Sequence, residues 1–186
     1  MAMNRRDALK NMVLMMGGTM VGANVILTGC APEDRIEGLD FSDSELAYMD
    51  EIGEAIIPTT DTPGAKAVGI GTFMKVMVQE TYNKEQQETW LRGLNEIRDG
   101  FKDETDTDFM DATVEQRTEY LNRLHQDARN VDKKDGPQYI NMMKDLTVLG
   151  YFTSEIGATQ QLRYIETPGS YDGCTDYKKG DKVWAI

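Results

Sequence analysis

The sequence contains little of what most enzymes use for catalysis. Its 186 residues include two cysteines, Cys30 and Cys174, and one histidine, His125. The motifs His-Glu-x-x-His, Cys-x-x-Cys and Cys-x-x-Cys-His are absent, which excludes the usual histidine- or cysteine-rich metal sites and covalent haem attachment. Gly69 and Gly71 match part of a dinucleotide-binding fingerprint, but the third glycine and the preceding strand are missing, so a nucleotide site is not supported.

The remaining candidates for chemistry each have a simpler interpretation. His125 could act as a general base, but no partner stands at an identifiable spacing, and a surface or half-buried histidine is favoured. The acidic run at 103–108 lacks the central glycine and terminal glutamate of a calcium loop, which favours a solvated acidic loop. Met74, Met77, Met142 and Met143 have helical spacing typical of core packing. We therefore expect no catalytic, cofactor-binding or metal-binding residue in this chain.

Basic residues are also scarce. The chain has 20 lysines and arginines against 32 aspartates and glutamates, a net charge of −12. Such a surface repels nucleic acid and anionic lipid, so we do not expect the protein to bind either through charge.

The first thirty residues have the pattern of an export signal. Arg5 and Arg6 precede an uncharged stretch at 11–29, which several glycines make too weakly apolar for a good membrane span. The arginine pair indicates a twin-arginine signal, with an ordinary secretory signal as the alternative. Residues 27–30 resemble a lipoprotein cleavage site, so we expect cleavage before Cys30 and a lipid on its thiol, although Cys30 could be an ordinary free cysteine.

These features predict a lipid-anchored protein on the periplasmic side of a bacterial membrane. The mature chain would have 157 residues, and removal of 1–29 would change the net charge from −12 to −14. Because the twin-arginine route carries folded proteins, and this chain shows no cofactor motif, we expect a cofactor-binding partner to be exported with it. Cys174 would be the one other cysteine, so no internal disulfide is expected.

The rest of the chain predicts a single all-α domain. We expect a signal at 1–29, a tether at 30–40, a compact helical bundle at 41–165 and an irregular C-terminal arm at 166–186. Strands with a two-residue period are not evident.

Capping signals divide the bundle into helices. Ser42, Asn83 and Thr113 are each followed three residues later by Glu or Gln, the pattern of a capping box. The predicted helices run from Ser42 to the residue before Pro58, from Ile70 to Tyr82, from Asn83 to Phe101, from Thr113 through Leu124, from Pro137 through Leu149, and from Ser154 to Tyr164. Phe73, Val76 and Met77 share a face of the second helix, and the apolar stripe of the fifth helix consists of Ile140, Met143, Leu146 and Leu149. Residues 58–64, 102–111 and 132–136 are predicted loops.

Three segments resemble a known family. Residues 54–65, Glu-Ala-Ile-Ile-Pro-Thr-Thr-Asp-Thr-Pro-Gly-Ala, are similar to the signature of the gluconate 2-dehydrogenase subunit 3 family. Residues 150–155 and the tail at 167–174 resemble later parts of the same family, in the expected order. The resemblance covers essentially the whole mature chain.

The resemblance implies a function in a complex. Its members are small subunits whose large partner is a glucose-methanol-choline type flavoprotein that holds FAD and the substrate, with a cytochrome c or another acceptor receiving the electrons. The small subunit escorts the large one during export and stabilises it. A lipid on Cys30 would add membrane tethering. Gluconate, glucose and glycosides are all compatible substrates. An independent lipoprotein without an enzyme partner is the alternative, while a hydrolase lacks a nucleophile–base pair.

Two segments are candidates for the partner interface. In the loop at 58–64, two prolines limit chain freedom, so ordering it against a partner costs little entropy. An internally packed turn is equally compatible. The C-terminal arm has aromatic residues of the type that anchors interfaces, and we expect it to lie across the large subunit unless it folds back on its own helices. The candidate contact residues are Pro58, Thr60, Asp61, Pro63, Tyr171, Cys174, Tyr177 and Trp184.

Overall fold

The computed structural model describes residues 34–130, 138–167, 169–170 and 173–185. Several predictions concern residues outside this part of the chain: the export signal with Arg5 and Arg6, the lipid site Cys30, the turn at 132–136, Pro137 and Tyr171. The chain divides into two units, residues 1–35 and 36–186, and the second unit contains all the elements below.

Helices dominate the described residues, as predicted from the sequence. The five α-helices are α1 Asp43–Ile56, α2 Ile70–Thr81, α3 Lys84–Thr105, α4 Val114–Asn130 and α5 Gln138–Thr153. A 3₁₀ helix at Ala65–Val68 precedes α2, and a π turn at Gly157–Gln161 follows α5. No helix of the described residues has the length and apolarity to cross a membrane.

The predicted capping residues begin their helices. Ser42 and Asn83 form complete capping boxes with Glu45 and Gln86, respectively. At the start of α4, the Thr113 backbone N–H donates to Gln116 Oε1 at 3.0 Å, and the Gln116 N–H donates to Thr113 Oγ1 at 3.4 Å. These side chains satisfy backbone donors that have no partner within the helix.

The acidic stretch predicted as a loop from 102 is helical as far as Thr105, and this part of the prediction was wrong. Phe101 is fully buried, so packing holds the last turns of α3 in place despite their acidic sequence. The helix ends where Asp106 adopts a left-handed conformation with φ of 51°.

The helix predicted from Ser154 to Tyr164 is confirmed only in part, because residues 155–161 are helical but mostly in the π form, and the two ends of the predicted range are not helical. Ser154 Oγ donates to the Tyr151 carbonyl at 2.6 Å and accepts from the Gly157 N–H at 3.1 Å, which diverts the backbone from a regular α-helix. The π turn follows, and Arg163–Tyr164 then form a short strand, β1.

Close helix contacts depend on glycine. A Cβ atom at Gly53 of α1 would lie 2.4 Å from Ile70 Cγ2, and one at Gly71 of α2 would lie 2.4 Å from the Leu46 carbonyl oxygen. The crossing of α1 and α2 therefore needs glycine on both helices. This helix packing accounts for the glycine at position 71, so a nucleotide-binding role is not needed to explain it.

A buried aromatic cluster joins α1, α3 and α4. The ring centroid of Phe101 lies 5.2 Å from those of Phe109 and Tyr120, and Phe109 lies 5.2 Å from Tyr48, all edge to face. The side chains of these rings are buried, and such edge-to-face pairs stabilise beyond their burial alone.

Side-chain burial corrects the predicted faces of two helices. On α2 the fully buried residues are Ile70, Met74 and Val78, whereas Val76 is 50% exposed. On α5, Leu149 is exposed while the rest of the predicted apolar stripe is buried. Met74 and Met143 pack in the core, as predicted.

Candidate partner-binding site

One buried carboxylate organises the loop at 58–64, here called the proline loop. Glu54, near the end of α1, is only 8% exposed. Its Oε1 accepts from the Thr59 N–H at 2.8 Å, and its Oε2 accepts from the Lys66 N–H at 3.0 Å. The carboxylate therefore satisfies backbone donors on both sides of the loop, which fixes the two ends relative to α1.

At the end of the proline loop, the backbone of residue 64 passes so close to Glu54 and Thr59 that only glycine fits there. A Cβ atom there would lie 2.4 Å from Glu54 Oε2 and 2.6 Å from the Thr59 nitrogen. The Gly64 N–H donates to Thr59 Oγ1 at 3.0 Å, and the Ala65 N–H donates to the Ile57 carbonyl at 2.9 Å. These hydrogen bonds join the two ends of the loop and leave a compact, ordered turn.

Residues from the end of the bundle support the loop from the other side. The Tyr151 hydroxyl donates to the Pro63 carbonyl at 2.7 Å, and Gln161 Nε2 donates to Thr62 Oγ1. Two of the three segments that resemble the family signature, at 54–65 and 150–155, thus meet in space although about ninety residues separate them in sequence.

The tip of the proline loop is open to solvent. Pro58, Thr60 and Asp61 are exposed and Pro63 is half-buried. The base of the loop therefore packs internally, while the tip presents side chains outward. The partner contacts expected of these four residues stay a prediction.

A groove of about 440 Å³ lies between the proline loop, α4 and α5, and is here called the α4–α5 groove. Pro58 and Thr60 line it on the loop side. Its apolar lining consists mainly of Ile56, Ile57, Leu121, Ile140, Val148, Tyr151 and Phe152. Of these, Val148 and Phe152 are 39% and 38% exposed. This groove was not predicted from the sequence, although the apolar residues of α5 outside its buried stripe were a signal for it.

Two basic side chains also line the α4–α5 groove. Lys144 Nζ lies 3.3 Å from His125 Nε2. Burial lowers the pKa of His125, and the positive charges of Lys144 and Arg129 lower it further. A general base is normally oriented by an acidic or carbonyl partner, whereas the neighbour here is an ammonium group. The geometry favours the half-buried interpretation of His125 over the catalytic one.

A second cavity, of about 600 Å³, lies on the other side of the loop tip along α4. Most of the residues that line it are polar or charged, and Pro58, Thr60, Thr118 and Asn122 belong to both cavities. Thr118 Oγ1 donates to the Ala55 carbonyl at 2.8 Å, which fixes α4 against the end of α1. The loop tip thus stands between two concave surfaces.

A buried arginine holds α4 in place beneath this surface. Arg117, 5% exposed, donates from Nε to the Phe109 carbonyl at 2.7 Å and from Nη2 to the Met110 carbonyl at 2.8 Å, and it pairs with Glu51. Glu51 also pairs with Lys66. Burial alone would raise the pKa of Glu51, but these two cations outweigh it and hold the pKa below its ordinary value.

The C-terminal arm returns to the bundle at its end. Trp184–Ala185 form strand β2, which pairs in parallel with β1, and the Arg163 N–H donates to the Val183 carbonyl at 2.8 Å. The Arg163 guanidinium lies 4.5 Å from the Trp184 ring centroid. Elsewhere in the described part of the arm, the backbone is irregular, as predicted.

Most of the arm nevertheless faces solvent. Tyr177 is 75% exposed, Trp184 is 43% exposed and Cys174 is also exposed. Both interpretations of the arm thus retain support: its end contacts this chain, and its aromatic surface stays uncovered. The expected partner contacts of Tyr177, Cys174 and Trp184 stay a prediction.

Among the residues that the structure describes, no group of three or more histidine, cysteine, aspartate or glutamate side chains could hold a metal ion. The main features of this surface are therefore the ordered proline loop and the apolar groove beside it. The sequence profile described as gluconate 2-dehydrogenase subunit 3 matches residues 43–169. The chain therefore belongs to the gluconate 2-dehydrogenase subunit 3 family.

Membership of this family makes the chain a small subunit of an oxidoreductase complex and implies a partner dehydrogenase subunit. No curated protein and no solved structure matches the chain.

Proposed function

We propose that this chain is the non-catalytic small subunit of a periplasmic FAD-dependent dehydrogenase that acts on gluconate, another sugar or a glycoside. Its large partner is a flavoprotein of the glucose-methanol-choline type, which binds FAD and the substrate. The family match over residues 43–169 carries this proposal. The electrons pass from the flavoprotein to a cytochrome c subunit or another acceptor.

The small subunit acts by binding the large one. The proline loop supports this role because Glu54, Thr59 and Tyr151 already order it, so contact with a partner requires little further loss of entropy. Its exposed tip stands beside the apolar α4–α5 groove, which gives a partner both a polar and an apolar contact.

The N-terminal segment gives the complex its location. Arg5 and Arg6 direct twin-arginine export of the folded pair, and a lipid on Cys30 tethers it to the membrane. Co-export explains why a chain without a cofactor motif carries a signal used by folded proteins.

Affinity purification of the tagged chain from native membranes tests the proposal. We expect a stoichiometric large subunit, a flavin absorption spectrum and sugar-dependent dye reduction in the purified complex. A colourless, solitary protein isolated under mild conditions would contradict the proposal and favour an independent lipoprotein.

Two variants test location separately from assembly. Cys30→Ala should release the complex from the membrane fraction, and Arg5→Lys with Arg6→Lys should keep it in the cytoplasm. Recovery of both variants in the same fraction as the unmodified chain would contradict the assigned signal and lipid site.

A further inference from the structure

We propose that the α4–α5 groove binds a segment of the partner dehydrogenase subunit that presents a large apolar side chain with a carboxylate close to it. This inference rests on the proposed function and names the chemistry of the contact. Three features carry it: an apolar lining, an exposed apolar stripe on α5 and a basic pair beside that stripe.

The volume and the apolar lining of the groove suit an anchoring side chain. Leu121, Ile140 and Tyr151 contribute to its lining and are themselves buried in the core. The volume of about 440 Å³ lies within the range of concave sites that enclose a ligand group. Interfaces commonly place an aromatic or aliphatic anchor in such a well-packed recess.

The stripe on α5 is not required by the fold. Lys144, Val148 and Phe152 follow one another at four-residue intervals, so they share one face of α5. All three are exposed and line the groove. The buried face of the same helix already has Ile140, Met143 and Leu146, so the exposed apolar side chains add little to the core.

The charge at one end of the stripe selects the partner. Lys144 contacts the ring of His125, and none of the ion pairs among the described residues involves Lys144. A neutral imidazole can accept a hydrogen bond from the ammonium group but cannot neutralise its charge, whereas a carboxylate beside Lys144 would do both. The chain as a whole carries a net charge of −12, so this basic pair is a local exception.

The same surface explains the position of the proline loop. Pro58 and Thr60 line the groove opposite α5, and Tyr151 and Gln161 tie the loop to that side of the bundle. An occupant of the groove would therefore contact the exposed loop tip as well. A second copy of this chain is a weaker match, since two chains of net charge −12 repel each other.

Binding between the purified chain and its large subunit tests the inference. We expect Phe152→Asp to weaken binding about tenfold or more, because a buried charge would replace the apolar contact. Lys144→Glu should weaken binding about tenfold at low salt, with a smaller effect at high salt, because it repels the partner carboxylate.

Matched controls lie on other helices. Val76→Asp places the same charge at an exposed apolar position on α2, and Lys102→Glu reverses an exposed lysine on α3. Both should bind within about twofold of the unmodified chain. Thermal unfolding of every variant shows whether a loss of binding reflects a loss of fold. Because Lys144 is exposed, Lys144→Glu should leave the Tm unchanged.

A photo-crosslinking amino acid at Val148 identifies the contacted segment. We expect a crosslink to a large-subunit peptide with an acidic residue near an apolar one, and reversal of that acid to lysine should restore binding to Lys144→Glu. Undiminished binding by the Phe152 and Lys144 variants would overturn the inference while leaving the proposed function intact. Crosslinks only to a second copy of this chain would also overturn it. Failure of the unmodified chain to bind the large subunit would instead contradict the proposed function itself.

Discussion

The helical body at 36–165 and the C-terminal arm at 166–185 differ in how well their own packing accounts for their apolar and aromatic side chains. In the body, large side chains are fully buried, and the buried polar groups Gln87 and Arg117 have hydrogen-bond partners. In the arm, nearly every described side chain is exposed, including Tyr177 and Trp184. The body therefore stabilises itself, whereas the arm has aromatic residues that its own fold does not need.

The proline loop combines both behaviours within seven residues. The backbone at its base is held by several hydrogen bonds, as in the helical body, whereas the side chains at its tip are exposed, as in the arm. This contrast suggests that the helical body holds the loop tip and the arm in position, and that a partner subunit covers their exposed side chains. The following predictions test this contrast from the largest expected effect to the smallest.

Removing a core ring should have the largest effect. Trp90 is fully buried between α3 and its neighbours, so Trp90→Ala should lower the free energy of unfolding by about 3–5 kcal/mol. Chemical denaturation measures the change. Trp184→Ala in the arm is the matched control, and we expect a change of about 0.5 kcal/mol or less. Equal losses for the two variants would remove the distinction between body and arm.

The buried ion pair should come next. Arg117→Leu removes hydrogen bonds to two backbone carbonyls and one partner of Glu51, so we expect a loss of about 3 kcal/mol on denaturation. Arg123→Leu removes an exposed pair with Glu104 and should cost less than about 1 kcal/mol. A small effect at Arg117 would show that the other contacts of α4, which include the Thr118–Ala55 hydrogen bond, are enough to hold it in place.

The loop carboxylate should have an intermediate effect. Glu54→Gln leaves one oxygen acceptor for two backbone donors, so we expect a loss of about 1–2 kcal/mol and faster hydrogen exchange at the Thr59 and Lys66 amides. Glu88→Gln on the exposed side of α3 is the control. Unchanged exchange at both amides would argue against Glu54 as the organiser of the loop.

The histidine predicts a smaller, pH-dependent effect. Because burial and the nearby cations lower the pKa of His125 in the folded chain, the unfolded chain binds a proton more readily there. The contribution of neutral His125 to stability should be present above about pH 6.5 and decrease as pH falls through the folded-state pKa. The difference in Tm between the unmodified chain and His125→Gln should show this trend between pH 8 and 5. A difference that grows more favourable to the unmodified chain at low pH would reverse the assigned sign.

Truncation of the arm should affect the fold least. Among the described contacts, removal of residues 168–186 breaks the two-residue β1–β2 pairing, the stacked Arg163–Trp184 contact and the hydrogen bond from Lys182 Nζ to the Gln160 carbonyl. We expect the helical circular dichroism signal to persist while capture of the large subunit weakens. Unfolding of the truncated chain would show that the arm belongs to the core.

Local signals explain why most of the fold could be predicted. Ser42, Asn83 and Thr113 act within three residues of themselves, so their capping role is visible in sequence. The end of α3 and the π turn could not be predicted in this way. They depend on the burial of Phe101 and on a hydroxyl of Ser154 that competes with the helix for the Tyr151 carbonyl.

The candidate site was predicted only in part for the same reason. The prolines of the loop are visible in sequence, but the role of Glu54 depends on backbone groups up to twelve residues away. The α4–α5 groove requires α4 and α5 to lie side by side, and the contact between His125 and Lys144 joins residues that no spacing rule connects.

Expression of the large subunit with and without this chain tests the central claim most directly. Sugar-dependent dye reduction is measured in the cytoplasmic, periplasmic and membrane fractions. The account predicts membrane-bound activity only when the small subunit is present. Equal activity in the same fraction without it would contradict a role in export, stabilisation and tethering.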